Sequence, residues 1–244
     1  MKGPSTIGDK LTSTSEEPLV KRLVILANSR KLQARCVAGR EWREEGPGDW
    51  IRPVSDREHQ EVSQRERMYE NGSDPQILDI IDVPLLGRRA DSPQTENWLL
   101  NPRWYWNKVG QLDEKRLSVL ADQSPQPLWI NDYSTYHGLN DRIPEERISE
   151  ISGSLRLIST EDVRLRVFRP GQMFGDAKRR IQARFSYGDD DYHLRVTDPL
   201  IETAYFARED GEYPLGRAYL TISLGELWQG YYYKLVAAII GAET

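Results

Sequence analysis

The chain has a single cysteine, Cys36, in 244 residues. One thiol excludes an intramolecular disulfide and fits a reducing compartment. Its alternating apolar neighbours, and the lack of any Cys/His context, make Cys36 a core position rather than a nucleophile. Histidine is almost as scarce. His59, His137 and His193 stand far apart with no metal-ligand spacing, which argues against a zinc site. No apolar run approaches the roughly 18 residues a membrane-spanning helix needs. The opening stretch MKGPSTIGDKLTSTSEEP has no hydrophobic signal core, so a polar, disordered tail over 1–19 and a cytoplasmic location are expected. A glycine-rich phosphate loop, a nucleophile elbow and the HExxH pattern are all missing. No cofactor, metal or catalytic residue is therefore assigned. The nearest approach to a carboxylate pair is Asp79 and Asp82 in LDIID, but on a strand positions i and i+3 point to opposite faces.

What is present suits a folded globular chain: 38% hydrophobic residues, 29% charged residues, seven Trp and twelve Tyr. The net charge of −5 and pI near 5.4 weigh against non-specific coating of nucleic acid and leave room for a local basic groove.

The chain also repeats itself. LQARCVAG at 32–39 is echoed by IQARFSYG at 181–188. Upstream, KRLVILANS (21–29) matches VRLRVFRPG (163–171); downstream, WIRPVSD (50–56) matches HLRVTDP (193–199), and ILDIIDVPL (77–85) matches YLTISLGEL (219–227) more weakly. Similar blocks in the same order read as two diverged copies of one β-rich unit, although short strands also resemble one another by composition alone. In the second copy Ile181, Ala183, Phe185 and Tyr187 alternate with polar residues. After the acidic tip Asp189–Asp191, Tyr192, Leu194 and Val196 do the same. A period of two on both sides of a short turn predicts a hairpin with one buried face and one wet, basic face. YYYKLVAAII (231–240), apolar on both parities, predicts a central strand, with a short buried helix as the alternative. Asp113 is placed to cap a helix over EKRLSVLAD.

These signals predict a mainly β protein of two tandem small OB-like β-barrels with short connecting helices, since closure removes unpaired strand edges. The expected units are a first OB-like domain over 20–112, a linker with short helical segments over 113–153, and a second OB-like domain over 154–244. The segments KRLVILANSRK with RCVAG, WIRPVS, ILDIIDVPL, ENWLL, the VTDP turn, and SLGE with YYKLVAAII together resemble the bacterial dual OB-domain protein family, over most of residues 20–241. These are strand-and-turn patterns. The resemblance implies two OB barrels and an association with nucleic acid or bacterial conflict systems, and it assigns chemistry to no residue.

OB barrels present their second and third strands as a groove where cations meet phosphates and aromatic rings stack bases. In the second copy the wet face offers Arg180, Arg184, His193 and Arg195, with Lys178 and Arg179 at its entrance. Between 162 and 197 there are eight Lys or Arg against five Asp or Glu. In the first copy the matching residues are Arg35 and Arg52, with Trp50 as a stacking platform. Against this, outward arginines on strands commonly serve only solvation or ion pairs, and the acidic tip repels phosphate. A second aromatic concentration, ENWLLNPRWYWNK (96–108), gathers Trp98, Arg103, Trp104, Tyr105 and Trp106. It is read as an inter-domain plug, or else as a clamp that stacks a base or an anchor for a larger effector protein. The leading expectation is a non-catalytic module for single-stranded or structured DNA or RNA. The alternatives are a protein-interaction adaptor using the Trp-rich segment, and a small-nucleotide sensor or enzyme.

Overall fold

The computed structural model describes residues 18–123 and 127–241. All but the last two residues of the expected polar tail therefore lie outside the described residues. Leu19 already opens the first strand. Among the described residues the chain is mainly β, with two six-stranded sheets. The first contains β1 (Leu19–Lys31), β2 (Ala34–Arg43), β3 (Gly46–Val54), β4 (Asp79–Arg88), β5 (Asn97–Leu100) and β6 (Asn107–Gln111). The second contains β7 (Arg142–Pro144), β8 (Leu155–Phe168), β9 (Arg180–Tyr187), β10 (Asp190–Val196), β11 (Gly211–Trp228) and β12 (Tyr231–Ile240). Helix is confined to α1 (Gln64–Arg67), α2 (Leu117–Leu120), α3 (Pro199–Phe206) and short 3-10 turns.

The two sheets share one pairing scheme. In the first, pairing runs β1–β2–β3–β5–β4 and returns to β1. In the second it runs β8–β9–β10–β12–β11 and returns to β8. Each ring has one parallel contact, β3 with β5 and β10 with β12, while its other contacts are antiparallel. The sequence echo falls on equivalent elements. LQARCVAG lies on or beside β2 and IQARFSYG on or beside β9, the second strand of each ring. Its shared glycine serves two different ends. A Cβ on Gly39 would sit 2.1 Å from the carbonyl oxygen of Val24, so β1 and β2 approach too closely there for a side chain. Gly188 has φ of 62° and turns the β9–β10 hairpin, a left-handed conformation that glycine adopts without steric cost.

The hairpin has the expected register. Ile181, Ala183, Phe185, Tyr192, Leu194 and Val196 are all buried in the core of the second ring. YYYKLVAAII is a strand, the hub of its sheet, contacting β11, β10 and β7. Asp113 accepts from the Lys115 amide at 3.0 Å and caps a 3-10 turn that leads into α2. Asp198 caps α3 in the same way, with Pro199 at the first helical position, where its missing N–H is not needed.

The two rings are joined by a substantial seam. Val24 and Leu26 of β1 pack with Leu157 of β8 and with Ala238 and Ile240 of β12, and Leu117 and Leu120 of α2 complete the cluster. Each fully buried aliphatic side chain of this kind contributes roughly 1.5–3 kcal/mol. Trp50, expected as a stacking platform, packs here against Leu155 and Ala237. The Trp-rich segment is not the plug between the rings. Trp106 is 1% exposed in the first core, and Trp98 packs on that same core beneath Lys21 and Arg88. The plug is Trp50, because β3 faces the seam while β5 and the segment after it cover the first ring's own interior.

Candidate nucleic-acid interface

A recess of about 600 Å³ lies on the outer face of the second ring. On β9 and β10, inward positions carry the core residues, so Arg180, Gln182, His193 and Arg195 are left on the other face, lining the recess. Tyr233 and Leu235 of β12, and Gly225, Glu226 and Trp228 near the end of β11, form a second side. The third side is the segment before β7, which carries Tyr136, His137 and Asp141. That segment is held by the backbone bridge between Leu139 and His193 (3.1 and 3.4 Å), by the Gln182 amide donating to the His137 carbonyl at 2.7 Å, and by Asn140 donating to the Asp191 carbonyl at 3.1 Å.

Two cations of this recess form no ion pair. Among the described residues neither Arg195 nor Arg180 has a carboxylate partner; the only side-chain hydrogen bond of Arg180 runs to the neighbouring Arg179 carbonyl. Enclosure by the cleft walls, then Arg180 and Arg30, lower the pKa of Arg195 against the weaker opposing field of Glu202; the guanidinium nevertheless stays charged. Burial and nearby Arg184 lower that of His193. The acids of the cleft are already engaged. Asp141 accepts from the Thr135 amide (2.7 Å) and hydroxyl (2.6 Å), and Glu226 pairs with Lys31 at 2.6 Å. Two aromatic rings stand open at the rim, Tyr136 at 91% and Trp228 at 64% exposure. The acidic tip lies at the far end of the hairpin. Asp190 is five residues from Arg195 along β10, roughly 17 Å at strand spacing, so its repulsion is screened at the open end.

The remaining candidates separate by their surroundings. Arg52 is 2% exposed and its guanidinium is taken up by partners inside the protein, at the floor of a small recess at the seam. Its guanidinium lies 3.1 Å from Glu96 and donates to Ser154 (2.9 Å), Ser223 (3.3 Å) and Asn97 (3.3 Å). Trp50 is equally committed to the seam. Arg184 pairs with Glu212 at 2.6 Å, and Arg179 donates to Asp210, the Phe206 carbonyl and the Arg208 carbonyl. Lys178 is exposed outside the recess, and Arg103 is exposed on the first ring. Arg35 is half-buried on β2, where Val62 bridges its backbone on both sides, and it lines a separate small recess of about 110 Å³. A positive groove joining Arg35, Arg52, Arg184 and Arg195 does not form. Trp104 lies half-buried at the surface of the first ring. Cys36, expected in the core, is half-buried and lines a small recess at the seam. Asp79 is fully buried, accepting from the Tyr69 hydroxyl at 2.7 Å, whereas Asp82 pairs with Arg22.

Several residues of the cleft escaped the sequence reading. Tyr136 and His137 sit in a stretch without periodicity, and only the Leu139–His193 bridge brings them to β10. Lys234 did leave a signal, as the one charge inside an apolar strand. It is 1% exposed, donates to the Ile130 carbonyl (2.8 Å) and Asn131 (2.9 Å), and its pKa is pushed down to about 7 by burial.

Two rings of identical connectivity, each with one parallel contact between third and fifth strands, agree with the match of residues 21–239 to the model of the dual OB-containing domain. The chain belongs to the dual OB-containing domain family. Among curated proteins none matches it. In family terms, the recess is the outer face of the second OB unit's second and third strands, between the β8–β9 and β11–β12 connections. No helix among the described residues is long and apolar enough to cross a membrane.

Proposed function

We propose that this dual OB protein binds single-stranded nucleic acid in the cleft of its second unit, each ring acting as a small closed barrel. The observation that carries the reading is the convergence of two cations without carboxylate partners, Arg180 and Arg195, with two open aromatic rings, Tyr136 and Trp228, around one recess. Arginines supply phosphate contacts, and exposed rings stack bases whose faces a duplex would hide. The first unit acts as scaffold in this reading, because its matching arginine is spent on the seam.

The direct test is fluorescence anisotropy with labelled DNA and RNA oligonucleotides, single- and double-stranded, across a salt series. Single strands are expected to bind at low salt with a negative salt slope and duplexes to bind more weakly. Failure of every oligonucleotide at low salt overturns the proposal. Docking of an effector through the Trp-rich segment is less well supported, since Trp98 and Trp106 are absorbed by the first unit's own core.

A further inference from the structure

The cleft does not end at the second unit. A smaller recess of about 180 Å³ at the seam, lined by Arg30, Lys31, Cys36 and Thr197 among others, shares Gly225, Glu226 and Leu235 with it as common walls. The shared wall contains an irregularity. Leu224 pairs with Lys234 and Leu227 with Tyr232, so β11 carries one extra residue there relative to β12. A β-bulge of this kind re-aims a side chain out of the regular alternation. Here it places Glu226 across the junction. One carboxylate oxygen is 2.6 Å from Lys31 Nζ and the other 3.5 Å from His59 Nδ1, and both partners belong to the first unit.

We infer that the ligand path continues from the cleft over Leu235 into the seam recess, where Lys31 is a further phosphate site masked by Glu226, whose other carboxylate oxygen faces His59 outside the recess. This rests on the cleft reading above and adds how that site is regulated. The physical reason is competition. Glu226 is 44% exposed and can swing into water, whereas Lys31 is 19% exposed and stays at the recess whichever anion it meets. An incoming polyanion brings counterion release that an intramolecular carboxylate does not, so at low salt the phosphate displaces Glu226. At higher salt that gain falls and the internal pair re-forms, closing the path at the seam. The mask thus sharpens the salt dependence of binding and confines weak ligands to the second unit.

The test uses the full chain, an oligothymidylate of about 12 nucleotides, within the range one OB unit engages, and four proteins: wild type, Glu226→Gln, Glu226→Gln with Lys31→Ala, and Arg195→Ala. Glu226→Gln is expected to tighten binding about two- to fivefold, the scale of one exposed ion pair. Adding Lys31→Ala is expected to abolish that gain. Unchanged or weaker binding by Glu226→Gln, while Arg195→Ala still weakens it, overturns the masked site and leaves the cleft reading standing. Absence of binding by wild type and Glu226→Gln alike overturns both. A melting temperature for each variant identifies any that loses binding through unfolding, and Glu226→Ala then provides a second removal of the mask.

Discussion

Arg52 and Arg195 occupy the same rung of the two rings, and their fates are opposite. Each begins the parallel contact between third and fifth strands, Arg52 opposite Asn97 and Arg195 opposite Leu235. The residue preceding each partner is Glu96 in the first unit and Lys234 in the second. Where an acid stands, the arginine is sealed into the seam as part of a buried ion pair. Where a lysine stands, it is left without a carboxylate at the wall of an open cleft. One strand pattern thus yields a structural staple in one unit and a cleft-facing cation without an ion pair in the other.

The staple is expected to be unforgiving. Arg52→Ala leaves Glu96 buried and unpaired, and a loss of about 3–5 kcal/mol is expected in chemical denaturation. Replacing both charges, with Arg52→Met and Glu96→Leu, is expected to recover most of it. A single substitution costing under about 1 kcal/mol would show that the pair contributes little to the seam.

Arg195→Ala and Arg180→Ala are each expected to flatten the salt slope of single-strand binding by about 0.7, the value of one single-strand phosphate contact. Arg179→Ala should not, because its guanidinium is consumed by Asp210 and two carbonyls. Equal slopes for all three variants would refute the division between paired and unpaired arginines.

The two tryptophans bracket the distinction between binding and packing. Trp228→Ala is expected to weaken binding by about 1–3 kcal/mol, the range for one base stack, with little change in melting temperature. Trp50→Ala is expected to destabilise the fold by about 3 kcal/mol through the cavity it leaves at the seam. Parallel oligonucleotide titrations and thermal melts of the two variants separate these outcomes.

Lys234 predicts a pH dependence with a definite sign. Its folded pKa, pushed down to about 7, lies below its ordinary value of 10.5. Between those values the unfolded chain holds a proton that the native state does not, so stability rises with pH across the window and falls as pH drops towards 7. Wild type should therefore gain in melting temperature relative to Lys234→Met between pH 7 and 9. Curves that stay parallel over this range would mean the native amine is charged throughout.

Much of the architecture was legible because strand periodicity and turn residues are local properties. The alternation in IQARFSYG and YHLRVT set which residues face the core, and the order of matching blocks indicated two copies of one unit. The site was only partly legible. The sequence located Arg180, His193 and Arg195 on a wet face, since parity alone puts them there. It also placed Arg52 and Trp50 on an equivalent face, and in the first ring that face turns to the seam. Parity says that a side chain leaves its own ring; it does not say whether water or the other ring waits outside.

The sequence by itself determined the β-rich class, the hairpin register, the doubled unit and the family. Those follow from neighbours a few residues apart and from strand patterns that survive divergence. The tertiary structure alone decided which of the paired arginines is free. That choice depends on Glu96, Ser154 and Ser223, which are up to 171 residues from Arg52 and meet it only when the two rings dock. It depends equally on a connector without periodicity that folds back onto β10 to build the cleft.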